Sequence, residues 1–206
     1  MGILKSLGNE KKFLLLALVL LVVCVLIVFA MNKGLYNPTQ GLLTEKGAYD
    51  SPNSVLEDGV DYTVVVTTIY GEIYIDLYED LAPKNVNSFL FLIGERYYEG
   101  LTFHKVIPGF VIQAGDTKGD GNGDPGYIVE QENLTSFEDY QVGMANASQF
   151  FIVLPNANKE NLNGQYPVVG EVTKGFAVIE SITKVELGDN YKPVNDVVIE
   201  NIQIHE

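Results

Sequence analysis

An uncharged apolar run is the longest single pattern in the chain. It extends from Phe13 to Met31, which is 19 residues, enough for a helix to cross the hydrocarbon core of a bilayer. Lys5, Lys11 and Lys12 precede the run, and only Lys33 follows it closely. Because positive charge accumulates on the cytoplasmic side of a membrane span, the pattern predicts a cytoplasmic N-terminus over residues 1–12 and a single-pass anchor in the cell membrane over residues 13–31. The rest of the chain is then extracytoplasmic.

A cleaved signal peptide is the alternative interpretation of this run. Val28 and Ala30 stand at the two positions that a signal peptidase inspects. The run is longer than the usual apolar core of a signal peptide, which has about 7–15 residues. Its length therefore favours the anchor.

Residues 32–60 have no sustained period and are rich in Asn, Gly, Pro, Ser and acidic residues, which predicts a flexible linker. The folded domain is expected to span residues 61–206. It opens with a β-branched run over residues 62–68 and then an alternation of apolar and polar residues over residues 72–77. The pair Tyr70-Gly71 separates the two runs, so the pattern predicts a β-hairpin.

Two stretches have the spacing of helices, and the remaining stretches do not. One helix is expected to begin at Pro83, a residue favoured in the first turn, and another to follow Gly175. Their apolar positions recur at helical spacing: Val86, Phe89, Leu90 and Ile93 in the first, and Val178, Ile182 and Val185 in the second. Elsewhere the chain predicts short strands joined by Gly/Asn/Pro loops, the last over residues 197–204. This pattern fits an antiparallel barrel with capping helices, and it fits a sandwich equally well.

The charge of the chain narrows the range of partners. Beyond residue 34 there are 26 acidic and nine basic residues, a formal net charge of −17, and no cysteine. Nucleic acid is excluded as a partner, because there is no basic stripe to replace the counterions around phosphates. An exported domain without disulfides must be stabilised by its core, which a domain of this length can provide.

Two segments have the apolar pattern of buried strands but also contain a few polar residues, which is unusual for such strands. They are Phe103–Gln113, with the sequence FHKVIPGFVIQ, and Ser148–Ile152, with the sequence SQFFI. Further blocks follow the same order along the chain: residues 82–86, 125–127, 143–147, 162–166 and 193–199. Together they resemble the cyclophilin-type peptidyl-prolyl cis-trans isomerases over residues 61–206, here in a bacterial, membrane-anchored form. The resemblance implies a mainly β fold, a closed antiparallel eight-stranded barrel capped by two helices, preceded by the N-terminal transmembrane helix.

The resemblance also implies the site. Rotation about an X-Pro bond has a barrier of roughly 20 kcal/mol because the amide is conjugated, and a donor aimed at the prolyl nitrogen stabilises the twisted state. Lys105 stands where the family has an arginine, and it is expected to be catalytic together with Gln113 and Phe110. The residues expected to bind substrate are His104, Val111, Ala145, Asn146, Gln149, Phe151, Leu162 and Tyr166. We expect His104 to be a structural, hydrogen-bonded residue, since isomerisation needs no general base.

Three features of the chain depart from the family pattern. Lysine has no planar fork of donors and is not equivalent to arginine. Asn161 stands where many members have a tryptophan, and Asn146-Ala147 runs directly into Ser148-Gln149, where many members insert a loop that walls the subsite before proline. The main hypothesis is an isomerase for exported or cell-surface proteins. The alternative is a weakly active or inactive module that only binds proline-containing segments.

No cofactor and no metal are predicted. Asp120, Asn122 and Asp124 have the spacing of the start of a calcium loop, but Pro125 takes the place of the required glycine. The expected partners are proline-containing polypeptides and, through the N-terminal helix, the membrane. The protein is expected to act as a monomer.

Overall fold

The computed structural model describes residues 49–206 of the 206-residue chain. Eight strands form in the order β1 (Thr63–Thr68), β2 (Gly71–Leu77), β3 (Lys105–Ile107), β4 (Val111–Ala114), β5 (Gln141–Met144), β6 (Phe150–Val153), β7 (Val168–Lys174) and β8 (Ile199–His205). Helix α1 (Pro83–Gly94) lies between β2 and β3, and helix α2 (Phe176–Thr183) follows β7. A short 3-10 turn covers Asp189–Tyr191. The predicted hairpin and the two predicted helices are confirmed. Helix α2, however, ends two residues before Val185, and it buries Ile179 rather than Val178.

The eight strands form one antiparallel sheet in the order β3-β4-β6-β5-β7-β2-β1-β8, which curves into a half-barrel. The edge strands β3 and β8 do not pair with each other within the described residues. Their neighbouring loops meet instead, through an isolated bridge between Thr102 and Val198 and a hydrogen bond of 2.9 Å from the Phe103 amide to the Val197 carbonyl. The prediction of a closed barrel is therefore correct in strand number and direction, but no continuous ladder closes the sheet. Strand β3 is only three residues long, and it is the residues just before it, not β3 itself, that meet the chain at the start of β8.

Each strand has one face in the main core and one face outside it, as the period of two requires. Val106, Ile112, Val142 and Ile152 point into the main core, which also takes the buried face of α1. The residues between them point to the opposite face, where a second and smaller apolar cluster forms. The candidate site lies on that opposite face.

Residues 49–60, here called the strap, lie against the folded domain. The Tyr49 ring packs edge-on against Phe91 of α1 with 5.3 Å between centroids, and its amide donates to the Pro125 carbonyl at 2.7 Å. Farther along, the amides of Val55 and Leu56 both donate to Oδ1 of Asn87 on α1, at 2.8 and 3.0 Å. Among the described residues, contacts with the domain are thus already present at Tyr49, within the stretch predicted as linker.

The predicted membrane anchor and the first part of the predicted linker, residues 32–48, lie outside the described residues. Between Tyr49 and Glu206, no helix combines the length and the apolar composition that a bilayer crossing requires.

Candidate active site

A row of cross-strand neighbours on the outer face of the sheet brings the predicted catalytic residues together. Lys105 of β3 is paired with Gln113 of β4, and Gln113 is paired with Phe151 of β6. Gly143 of β5 lies on the other side of Phe151. Since directly paired residues project from the same face of a sheet, the cation, the amide and the aromatic ring stand side by side.

The second apolar cluster forms a slot next to this row. The rings of Phe137 and Tyr166 flank Phe151, with centroids 5.4 and 5.5 Å from it, and Tyr166 stands edge-on. The buried members of the cluster are Val111, Phe137, Phe151, Val153, Leu162 and Val168, and its partly buried members include Ile107, Phe110, Ala145 and Tyr166. The structure therefore unites Phe110, Val111, Ala145, Phe151, Leu162 and Tyr166, which the sequence predicted as site residues far apart in the chain.

A glycine makes room for the central ring of the slot. A Cβ atom at Gly143 would overlap the ring carbons of both Phe151 and Phe137. The backbone of β5 can pass beneath these rings only because residue 143 has no side chain. Gly143 belonged to one of the sequence blocks, but its spatial role is visible only in the fold.

The orientation of the Gln113 amide follows from its neighbours. Nε2 of Gln149 donates to the carbonyls of Gly121 and Gly123 at 3.1 and 2.7 Å, which leaves Oε1 of Gln149 as an acceptor. Nε2 of Gln113 donates to that oxygen at 2.8 Å. Oε1 of Gln113 has no hydrogen-bond partner among residues 49–206 and is therefore available to accept a bond at the slot.

Gln149 itself is not open to a ligand in this arrangement. Its side chain is buried, with the residue 1% exposed, and both ends of its amide are engaged. The sequence predicted that Gln149 binds substrate. Its placement instead gives it a positioning role beneath Gln113, because a glutamine saturated by Gly121, Gly123 and Gln113 has no donor left to offer.

A buried carboxylate shapes the loop that holds Gln149. Asp116 accepts from the amides of Lys118 and Gly123 at one oxygen, at 3.0 and 2.7 Å, and from the amide of Gly121 at the other, at 2.5 Å. These three bonds from backbone donors compensate its burial. They also set the direction of the two carbonyls that orient Gln149.

His104 lies beside the row without belonging to it. It is buried immediately before β3, and neither of its ring nitrogens has a hydrogen-bond partner among the described residues. Burial lowers the pKa of His104, with a smaller opposing effect of Asp116. The imidazole is therefore a neutral packing group. The expectations that it is hydrogen-bonded and that it contacts substrate do not match this placement.

Lys105 is the polar residue at the open edge of the slot. Its side chain is partly buried, and within residues 49–206 it forms no ion pair, whereas Lys84, Arg96, Lys159 and Lys184 each pair with a carboxylate. A charged ammonium that is not engaged by an acid can direct its protons to a ligand.

A groove of about 610 Å³ adjoins the slot at Ala145. One wall consists of residues 144–147, and the other consists of Asp124 and residues 126–129 with Gln131. Asn146 shapes the first wall, because its Oδ1 accepts from the amides of Ser148 and Gln149 at 2.9 and 2.7 Å. Its Nδ2 donates across to the Gly123 carbonyl at 3.1 Å, so the side chain of Asn146 is engaged at both ends and joins the two loops. Ala145 connects the groove with the slot.

The loop with calcium-like spacing uses its side chains locally. Oδ1 of Asp120 accepts from the Asn122 amide at 2.9 Å, and Oδ1 of Asp124 accepts from the Gly126 amide at 2.8 Å. Among residues 49–206, no three His, Cys, Asp or Glu side chains are grouped so that they could hold a metal ion.

Sequence reasoning missed several residues of the slot. Phe137, Val153 and Val168 are buried in it, yet none was singled out. Phe137 lies in an irregular loop, where no period marks the buried positions. For Val153 and Val168 the strand alternation was readable, but it does not show which face holds a ligand.

Comparison with known proteins agrees with this geometry. Residues 63–204 match the model of the family described as cyclophilin type peptidyl-prolyl cis-trans isomerase/CLD. A peptidyl-prolyl cis-trans isomerase of Arabidopsis thaliana is 34% identical over 155 residues, which are 69% of this chain and 96% of that protein. Peptidyl-prolyl cis-trans isomerase B of Bacillus subtilis is 39% identical over 132 residues, 60% of this chain and 89% of the relative.

Solved structures lead to the same family. A cyclophilin-type isomerase of Cryptosporidium parvum superposes with a TM-score of 0.61 at 29% identity, over 71% of this chain and 99% of that one. The structure of that protein in the presence of the dipeptide Ala-Pro gives a TM-score of 0.59 at 30% identity, over 70% and 99% of the two chains. The resemblance seen in the sequence blocks is confirmed: the chain belongs to the cyclophilin-type peptidyl-prolyl cis-trans isomerases and is an enzyme of that class.

Proposed function

We propose that this isomerase acts on proline-containing segments of exported or cell-surface proteins, with Lys105 as the donor to the prolyl nitrogen. The observation that carries the proposal is the pairing of Lys105 with Gln113 at the edge of an aromatic slot. A cation and an amide oxygen, neither of which has a partner among residues 49–206, then meet an apolar, partly aromatic surface at one place.

The chemistry requires no covalent step. As the X-Pro bond twists, the nitrogen loses its conjugation and becomes a hydrogen-bond acceptor. An ammonium proton of Lys105 stabilises that state and not the planar one, which is the differential binding that lowers a barrier. Oε1 of Gln113 accepts from a substrate backbone amide and holds the chain while the bond turns. The slot around Phe151 holds the ring.

The substrate class follows from the slot and from the groove beside it. The Ala-Pro dipeptide was present with the related Cryptosporidium protein, and the slot here has the apolar lining that a proline ring requires. The groove next to Ala145 extends the site, so we assign it to the residues before proline. The short connection between Asn146 and Gln149 leaves the groove open, which favours broad sequence preference.

The location is inferred from the N-terminus. The apolar run over residues 13–31 and the lysines before it support a single-pass anchor with the enzyme outside the cytoplasm. The acidity of the domain supports a position away from anionic headgroups. We propose that the enzyme works there as a monomer on client proteins that fold after export.

Two measurements test the proposal. Exchange spectroscopy by NMR on a short X-Pro peptide gives the rate of cis–trans exchange with and without the full-length protein, and the same titration gives peptide affinity. Binding without acceleration would show that the chain only holds proline segments. Protease added outside intact cells should cut the domain while the protein remains in the membrane fraction. A soluble form beginning near Met31 would show a cleaved signal instead.

A further inference from the structure

The strap lies outside the part of the chain that matches the family, residues 63–204, and it attaches behind one wall of the groove. We propose that the strap is a positioning element of the active site, which holds the groove wall at Pro125 and so sets affinity for the extended part of a substrate. This inference rests on the proposed role of the groove.

The strap has two attachments to the domain. At one end, the Tyr49 amide donates to the Pro125 carbonyl at 2.7 Å, while its ring lies against Phe91 and Tyr97, with centroids at 5.3 and 6.4 Å. At the other end, Asn87 of α1 accepts from two strap amides and donates to the Asn53 carbonyl at 2.9 Å. Pro125 is thus fixed relative to helix α1 through the strap.

The groove wall needs such a hold because residues 124–131 form neither helix nor strand. Gly123, just before the wall, accepts from the side-chain amides of Asn146 and Gln149 at 3.1 and 2.7 Å. In the middle of the wall, the Tyr127 hydroxyl lies 2.9 Å from Oγ of Ser88 on α1.

The far end of the wall is tied to the start of α1. The side-chain amide of Asn85 donates to the Glu130 carbonyl at 3.3 Å and accepts from the Glu132 amide at 3.0 Å. The first turn of the wall, from Asp124 to Gly126, lies between the holds at Gly123 and Tyr127. The Tyr49 amide donates to the Pro125 carbonyl in the middle of this turn.

The consequence is specific to substrate length. Lys105, Gln113 and Phe151 stand on strands β3, β4 and β6. The apolar side chains of the strap pack against the main core and not against the cluster that forms the slot, so release of Pro125 leaves Lys105, Gln113 and the aromatic rings in place. A substrate that ends close to the proline therefore loses nothing. A substrate that extends into the groove loses contacts with Asp124 and Gly126, which raises KM and leaves kcat unchanged.

The experiment uses the full-length chain with Tyr49→Ala, and Tyr49→Phe as the matched control that keeps the ring. NMR exchange measurements give kcat and KM for a blocked Ala-Pro dipeptide and for a peptide with four residues before proline. Tyr49→Ala keeps the backbone amide but removes the ring that anchors it against Phe91 and Tyr97, so the bond to the Pro125 carbonyl is released. We then expect KM for the longer peptide to rise roughly three- to tenfold, the effect of one net hydrogen bond. In Tyr49→Ala, KM for the dipeptide and kcat for both peptides should equal those of the unchanged protein. Tyr49→Phe should match the unchanged protein in all four values.

Asn87→Ala releases the other end of the strap and provides a second test if Tyr49→Ala impairs folding. It should raise KM for the longer peptide in the same direction and spare the dipeptide. Equal effects on both peptides, or no effect on either in a folded variant, would overturn the proposal. Failure of the unchanged protein to isomerise the dipeptide would refute the proposed function of the slot instead, so the two outcomes are distinguishable.

Discussion

Removal of the charge at Lys105 is the most direct test of the catalytic geometry. Lys105→Met keeps a long, unbranched apolar side chain next to Gln113 and removes the ammonium. Gln113 is held by its strand and by Gln149, and Phe151 is held by its strand and by the rings of Phe137 and Tyr166, so the slot keeps its shape. Peptide affinity should then change little while the catalysed rate falls.

The expected magnitude follows from the position of the lysine. A charge-assisted hydrogen bond contributes about 1.5–3 kcal/mol, which corresponds to about ten- to a hundredfold in rate. Lys105 is only partly buried, so water screens its charge and the lower half of that range is expected. Lys105→Arg restores a cation and adds donors in a planar fork, and its rate should equal or exceed that of the unchanged protein.

The assay is NMR exchange spectroscopy on an X-Pro peptide at saturating and subsaturating peptide, which separates kcat from KM. Phe110→Ala is the comparison, because it removes a wall of the slot in the ground and the transition state alike and should therefore raise KM. If Lys105→Met kept full kcat while Phe110→Ala abolished activity, the donor mechanism would be refuted. Catalysis would then come from Gln113 and the shape of the slot.

Three further variants test the supporting structure. Gly143→Ala forces the slot rings aside at a cost of about 1–3 kcal/mol, and peptide affinity measured by NMR titration should weaken; unchanged affinity would contradict the close fit. Gln149→Leu leaves the Gln113 side chain without its hydrogen-bond acceptor, so kcat/KM should fall roughly tenfold. If the variant lost stability in urea but kept its kcat/KM, Gln149 would have a purely structural role. Burial lowers the pKa of His104 in the folded protein. As pH falls through about 6.5, the unfolded chain therefore binds a proton at this histidine before the folded protein does, and the free energy of unfolding should decrease. His104→Gln should remove up to about 1.4 kcal/mol per pH unit of that slope in urea unfolding between about pH 5 and pH 8.

The local elements of the fold were predictable from the sequence. The alternation over residues 72–77 and the proline at the start of α1 are short-range signals, because strand and helix periods arise from the geometry of neighbouring residues. The ordered blocks identified the family and most of the slot, including Phe151, Leu162 and Tyr166.

Other features depended on contacts between distant residues. The strand alternation showed that Val153 and its neighbours point to opposite faces of the strand. Only the sheet order shows that the face of Val153 adjoins the slot. Likewise Gln149 had the same polar character as Gln113 in the sequence. Only the carbonyls of Gly121 and Gly123 made one a support and the other an open acceptor.

By itself, the sequence determined the family, the two helices, the antiparallel strands and the set of residues from which the slot is built, because each of these depends on local periodicity or on residue identity. The tertiary structure decided how that set divides into roles. It joined the two ends of the sheet through an isolated bridge and a few backbone hydrogen bonds instead of a continuous ladder. It also buried His104 and Gln149, placed Gly143 beneath two rings and attached the strap to the groove wall. These outcomes depend on which side chains meet across the fold and on which hydrogen-bonding groups remain without a partner. Both depend on contacts between residues far apart in the chain, which local sequence patterns do not determine.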